Sequence, residues 1–201
     1  MNIDSLSVSA HKINGPKGIG FCYIKKGILP SPTIIGGQQE KGLRGGTENL
    51  PAILGFTTAS LDNYPHIMEN YNKVYALKKY MIEKLSSEID DIRINSTLEQ
   101  NFSPYILNIS FRGVRGEVLL HYLSEENIFV STGSACTSKS KSGVVGSHVL
   151  DVLPLTKCEI EGAVRFSFSA TNSKEEIDRT IEVLKNGLNL LRRFKKWINY
   201  S

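Results

Sequence analysis

Apolar residues recur along this chain with two different periods, and the switches between them mark out its elements. Residues 4–9 alternate Leu6 and Val8 with Ser5, Ser7 and Ser9, the period of a short strand. The turn-rich stretch Asn14-Gly15-Pro16-Lys17-Gly18 separates it from an apolar, strand-like run at 19–24. Residues 28–49 are irregular. Asn49 then stands where it can cap a helix with Pro51 in its first turn, read from Leu50 to about Leu61. Tyr64-Pro65 breaks the pattern before a longer amphipathic helix, in which Ile67, Tyr71, Val74, Met81 and Leu85 share a face. Lys73, Lys78, Lys79, Glu83 and Lys84 fall mainly elsewhere on that helix, and His66 near its start reads as a surface residue.

The second half repeats the switch. Residues 91–96 read as a brief strand, and 105–111 as a clearer one, with Tyr105, Leu107, Ile109 and Phe111 alternating against Ile106, Asn108 and Ser110. A short helix at 117–123 leads to a third strand at 128–130. A further short helix restarts at 147–150 and stops near Pro154. Residues 163–169 then set Val164, Phe166 and Phe168 on one face and Arg165 and Ser167 on the other. Finally Ser173 to Glu176 forms a capping box, and Ile177, Ile181, Leu184, Leu188 and Leu191 line one face of the last helix. Helices alternating with strands predict an α/β fold, a small sheet covered by helices.

Composition narrows the function classes. The chain has 201 residues, 40% hydrophobic and 22% charged, which suits one large globular domain or two small ones. Net charge is +4, spread along the chain apart from Arg192, Arg193, Lys195 and Lys196, which read as a solvated helix end. No nucleic-acid motif and no basic stripe interleaved with aromatics is present, so nucleic acid is not an expected partner. The three cysteines, Cys22, Cys136 and Cys158, come without a signal peptide or a long apolar run, which predicts a cytoplasmic, reducing location with no membrane association and no disulfides. They form no CxxC pair, and His11, His66, His121 and His148 form no HxxxH, so no metal site is expected.

Candidate chemistry gathers at four places. Residues 131–147, STGSACTSKSKSGVVGS, surround Cys136 with small polar residues, which suits an exposed thiol on a mobile loop. Taken alone, an ordinary polar loop with an incidental cysteine is the commoner reading. Lys12 stands where a strand meets a loop. Glycines at 36, 37, 42, 45 and 46 allow close backbone approach to a ligand or another subunit, with the Thr47 hydroxyl available to an anion. Arg165 can fork onto a carboxylate from the non-core face of its strand, although a surface ion pair is the more common fate of a strand arginine. Cys22 and Cys158 have no comparable setting and read as structural or incidental.

Together SAHKINGPKGIGFCYI, GLRGGTENLPAILGF, STGSACTS with SHVL, and AVRFSFSATNSKEEID resemble the cysteine desulfurases of the NifS/IscS type, in the class V aminotransferase group of fold-type I pyridoxal phosphate enzymes. The resemblance covers nearly all of the chain, with four motifs in the family's order. It implies that Lys12 forms the Schiff base with pyridoxal 5'-phosphate, that Ser9 and His11 hold its phosphate, and that Thr47 reaches the phosphate in a neighbouring subunit. It implies further that Arg165 clamps the carboxylate of L-cysteine, and that Cys136 accepts the sulfur as a persulfide. A sulfur-acceptor or scaffold protein in iron-sulfur cluster or thio-cofactor synthesis is the implied partner, and a homodimer the implied assembly.

The family's enzyme is about twice as long, so the chain reads as its C-terminal part. Residues 1–62 would be a remnant of the large cofactor-binding domain, and 63–201 the small α/β domain carrying the Cys136 loop. The missing half would hold further cofactor contacts, so the chain alone is expected to be inactive and to bind the cofactor weakly or not at all. A non-catalytic truncated or interaction module, one half of a split enzyme, and a selenocysteine lyase are the competing expectations. Departures from the family pattern are Gly45 where serine is common, and Leu153-Pro154-Leu155 where a Met-Gly turn is more usual.

Overall fold

A computed structural model describes residues 2–132 and 148–197. The chain divides into two compact units, Met1–Met68 and Glu69–Ser201. Among the described residues no helix is long and apolar enough to cross a membrane.

The first unit is a hairpin and a helix. Strand β1 (Ser5–Ser9) pairs antiparallel with β2 (Gly20–Ile24), with Val8 opposite Phe21 and Ser9 opposite Gly20. Between them Ala10–Ile13 make one 3-10 turn, closed by Asn14 in the left-handed region (φ 64°). Helix α1 (Leu50–Asn63) starts at Asn49, whose side chain accepts from the Ala52 N–H at 3.2 Å, with Pro51 in the first turn. At its other end the Asn63 amide donates to the Ile13 carbonyl at 3.0 Å, which ties helix to turn. Phe21 stacks on Phe56 with ring centroids 5.8 Å apart, and Gly55 lets α1 approach Pro16, where an added Cβ would lie 2.6 Å from the proline ring. Its buried apolar residues are few: Ala10, Phe56 and Ala59.

The second unit has a full core. Strands β3 (Ile92–Ile94), β4 (Ile106–Phe111) and β5 (Ala163–Ser167) form an antiparallel sheet in the order β3-β4-β5. Leu107, Ile109 and Phe111 on β4 and Val164 and Phe166 on β5 share one face. Packed in the same core are Leu77, Met81 and Leu85 of α2 (Ile67–Glu88), Leu119 and Leu123 of α3 (Gly116–Glu125), and Ile177, Ile181, Leu184 and Leu188 of α6 (Lys174–Leu191). This is the predicted α/β architecture, helices over a small sheet. The predicted capping box also forms: the Ser173 hydroxyl accepts from the Glu176 N–H, and the Glu176 carboxylate accepts from the Ser173 N–H at 3.0 Å.

Four details differ from the sequence reading. The stretch 128–130 is not a strand; pairing is confined to one bridge, Ser131 to Arg165, made by two backbone hydrogen bonds of 2.7 and 3.1 Å. After α4 (His148–Asp151) comes an unforeseen helix, α5 (Lys157–Glu161), which the Thr156-x-x-Glu159 capping box announces in the sequence. Lys78 is buried rather than solvated, because its ammonium reaches back to the carbonyls of Thr97 at 2.7 Å and Ser103 at 3.0 Å. Arg192 follows the last helix but is no free cation: it donates to the carbonyls of Asp90, Asp91 and Arg112, closing the turn before β3.

Candidate functional site

In the first unit the Lys12 turn is fixed from beneath. The Ala10 N–H donates to the Ile19 carbonyl at 3.0 Å, and the Ala10 carbonyl accepts from the Gly15 N–H at 2.9 Å. Ala10 is wholly buried, and a Cβ on Gly15 would lie 2.9 Å from that of Ala10, so the turn has no room to shift. Ser9, His11 and Lys12 are exposed on this support. Among the described residues the Lys12 amine has no hydrogen-bond or ion-pair partner. A primary amine, an imidazole and a hydroxyl within four residues are thereby presented by a turn that cannot relax onto them.

The glycine loop is the second part. Gly45 is buried and its N–H donates to the Ile34 carbonyl at 2.9 Å. A Cβ there would lie 2.8 Å from the Gly36 Cα and 3.0 Å from the Gly36 nitrogen, so two glycines touch backbone to backbone. That contact is the physical reason why the serine common at this position in the family pattern is not accommodated here. Thr47 follows, exposed, two residues before the Asn49 cap.

The third part lies on the sheet of the second unit. Asn108 of β4 stands opposite Arg165 of β5, and Ser110 opposite Ala163, all on the face away from the core. The Asn95 amide nitrogen donates to Asn108 Oδ1 at 2.7 Å and to Ser110 Oγ at 2.8 Å. Arg165 has no carboxylate partner among the described residues, so the surface ion pair is not what it makes; its Nε is buried without an acceptor, and Asn95 Oδ1 is buried without a donor. A buried, unpartnered guanidinium nitrogen is costly unless a ligand satisfies it. Sequence reading passed over Asn95, Asn108 and Ser110. The alternation in LNISF showed which face they take, but nothing in it showed that this face is covered, Ser110 being fully buried.

Beyond this row, α5 brings in a charged cluster. Glu159, 3% exposed, accepts from Arg112 at 2.7 Å, from Arg93 at 3.2 Å and from the Thr156 N–H at 2.8 Å. The Arg112 hydrogen bond, with those of Thr156, holds its carboxyl down at about 2. A separate cavity of about 370 Å³ lies at the end of β5, lined by Phe129, Val130, Phe166, Phe168, Asn172 and Arg179 among others. Its walls mix polar and apolar residues evenly, and neither Arg165 nor Asn108 is part of its lining, so it is not where this chemistry gathers. Cys136 lies outside the described residues. Cys22 and Cys158 are exposed free thiols, and among the described residues no group of His, Cys, Asp or Glu is placed to hold a metal ion.

The aminotransferase class-V family model matches residues 1–180. The chain belongs to that family. Its relatives include a cysteine desulfurase of a Nostoc species, 38% identical over 197 residues, covering 98% of this chain and 48% of the relative. The cysteine desulfurase IscS of Clostridium botulinum is 40% identical over 188 residues, covering 92% of this chain and 46% of the relative. Among solved structures, a NifS-like protein superposes with TM-score 0.80 at 33% identity, over 94% of this chain and 47% of its own. A NifS-like protein from Rickettsia africae gives 0.79 at 30% identity, over 93% and 48%. This class-V chain therefore spans about half the length of the curated relatives it matches.

Proposed function

We propose that this chain supplies the C-terminal part of a cysteine desulfurase, with residues 1–62 continuing a large cofactor-binding domain and 63–201 forming a small one. Arg165 carries the reading, because its buried Nε has no acceptor among the described residues. That is the state expected of a group reserved for a substrate carboxylate. The relatives named cysteine desulfurase and the coverage of about half their length support the remainder.

The first unit's donor set suits pyridoxal phosphate: an unpaired amine at Lys12 for the aldehyde, with Ser9 and His11 beside it for the phosphate, and Thr47 for the phosphate of a second subunit. When bound, that cofactor supplies an electron sink for charge developing at the substrate's α-carbon. The chain's own residues do the rest. Arg165 binds the carboxylate of L-cysteine. Lys12 moves the α-proton. The Cys136 thiolate attacks the substrate sulfur, so that one S–S bond forms as the C–S bond breaks; the carbon gains a proton, and alanine leaves a persulfide on Cys136. The persulfide then passes to a sulfur-acceptor or scaffold protein, in a dimeric, cytoplasmic enzyme. By itself the chain binds the cofactor weakly and turns over negligibly, because half of the relatives' length is not in it.

The test combines the chain with pyridoxal phosphate and L-cysteine, alone and with the complementary N-terminal half of a relative such as the Nostoc enzyme. Alanine release and one added sulfur atom on Cys136 are expected only in the combination. Full turnover by the chain alone would remove the incomplete-site reading, and a combination that binds cofactor without sulfur on Cys136 would remove the desulfurase reading. The large apolar residues exposed on the first unit, among them Leu29 at 94% and Ile35 at 88%, favour a chain covered by the complementary half over a non-catalytic module that stands alone.

A further inference from the structure

Resting on the carboxylate-binding role of Arg165, we propose that Asn108 is a second hydrogen-bond donor to the same carboxylate, and that Asn95 is the positioning residue that turns the Asn108 amide the right way round. Backbone geometry comes first. The Arg165 N–H donates to the Ser131 carbonyl at 2.7 Å, and its carbonyl accepts from the Ser131 N–H at 3.1 Å, so both point away from β4. Asn108 points its own groups the other way, its N–H to Ser96 Oγ at 2.7 Å and its carbonyl to the Asn95 N–H at 2.9 Å. Asn108 and Arg165 are thus a directly opposed pair without hydrogen bonds between them, the kind in which Cα atoms approach to about 4.5 Å and side chains lie nearest.

The amide is then oriented by its neighbour on β3's extension. Asn95 Nδ2 holds Asn108 Oδ1 at 2.7 Å, and its second N–H is held by Ser110 Oγ at 2.8 Å. With its oxygen drawn toward Asn95, the Asn108 amide turns its NH2 end away from β3. Two consequences follow. The side-chain acceptor closest to Arg165 in the register is withdrawn from it, which explains why its buried Nε–H remains unpartnered. And what flanks the guanidinium is a donor, so the pair presents donors to both oxygens of a planar carboxylate, as bidentate recognition requires. The reverse amide orientation would place an oxygen beside the guanidinium, satisfy it internally and repel the ligand.

The experiment reads the Arg165 Nε–H directly, in arginine-selective ¹H–¹⁵N spectra of the whole chain, with its resonance identified by its loss in Arg165→Lys. L-alanine and acetate should each shift it downfield, and methylamine should not. Asn108→Ala should weaken that binding about tenfold, the loss of one charge-assisted donor. Asn108→Asp should shift the resonance without any ligand and abolish the response. The decisive variant is Asn95→Asp, which offers only acceptors to Asn108, reverses its amide, and should shift the Arg165 resonance unliganded while Asn108 and Arg165 are both intact. Retained backbone amide dispersion checks the fold of each variant, and Asn108→Ala serves alone if Asn95→Asp does not fold. No response of the wild type to either carboxylate overturns both the subsite and this assignment. A wild-type response left unchanged by Asn108→Ala overturns the assignment alone.

Discussion

The two units of this chain reach opposite solutions to burial. Residues 69–201 enclose a core of their own, in which Leu85, Leu107, Ile109, Phe111, Leu119, Leu123 and Leu184 have no exposed surface. Residues 1–68 bury one alanine completely and leave Phe21, Tyr23, Leu54, Leu61 and Tyr64 between 47% and 78% exposed. What the first unit has instead is local precision, a turn held by backbone hydrogen bonds at Ala10, Asn14 and Gly15. The lesson is that a site can be geometrically defined on a unit with little thermodynamic support of its own. The second unit has a core of its own, and the first has little of one.

The largest test of that difference is hydrogen exchange. Amides of β4 should open only with the whole second unit, whereas those of β1 and β2 should exchange at least about a thousandfold faster, because few apolar contacts hold them. Equal protection in both hairpin and sheet would break the comparison. Next in size are core truncations. Leu184→Ala should lower stability by about 3 kcal/mol, read by urea unfolding, whereas Leu54→Ala at 59% exposure should stay within about 0.5 kcal/mol.

Lys78 sharpens the comparison, since only a unit with an interior can bury an amine. Lys78→Met removes the donor shared by the Thr97 and Ser103 carbonyls and should cost about 1–3 kcal/mol. Burial lowers the Lys78 pKa below 10.5, so between the two values the folded chain binds fewer protons than the unfolded one. Wild-type stability should therefore rise with pH in that alkaline window, and the methionine variant should lose this rise.

Periodicity made the main elements legible, because each covered helix needs its apolar face and each half-buried strand its alternation. Ile177, Ile181, Leu184 and Leu188 announce α6, and Leu107, Ile109 and Phe111 announce β4. Lys78 and Ser110 escape a sequence reading for one shared reason: a polar residue is buried when a partner from another segment reaches it, and no local pattern records that partner. The bridge at Ser131 failed as a strand for a related reason. Ile128, Phe129 and Val130 have strand chemistry, but a strand exists only where a neighbour's edge runs alongside, and β5 meets this segment at one residue. The proposed roles of Lys12 and Arg165 rest on family motifs; the pinned turn and the empty hydrogen-bonding position at Nε are visible only in three dimensions.

Glu159 separates the units by pH. Its folded pKa of about 2 lies below the ordinary 4.5, so its contribution is fully present above 4.5 and is lost as pH falls through 2. Urea midpoints followed between those values should fall more steeply for the wild type than for Glu159→Gln, with the difference carried by β3, β4 and α5. An identical acid slope in the two proteins would mean that the arginine cluster is not what holds α5 in place.

The smallest expected effects lie where the units are alike, at their surface ion pairs. Lys25 meets Asp4 at 3.2 Å across the hairpin, and Lys185 meets Glu88 at 3.0 Å between α6 and α2, where Lys84 reaches the same carboxylate at 3.1 Å. In the second case Glu88 is held below its ordinary pKa by hydrogen bonds from Lys185 and then Lys84, but all these groups face solvent. Exposed pairs gain little over hydration, and salt screens them further. Lys185→Ala should therefore lower Tm by less than about 2 °C, with the difference vanishing in 0.5 M salt, where the Debye length is only about 4 Å. Lys25→Ala should change it no more. A larger loss for Lys25→Ala would show that the hairpin depends on its ion pair, and that the first unit supports itself by charge where the second does so by burial.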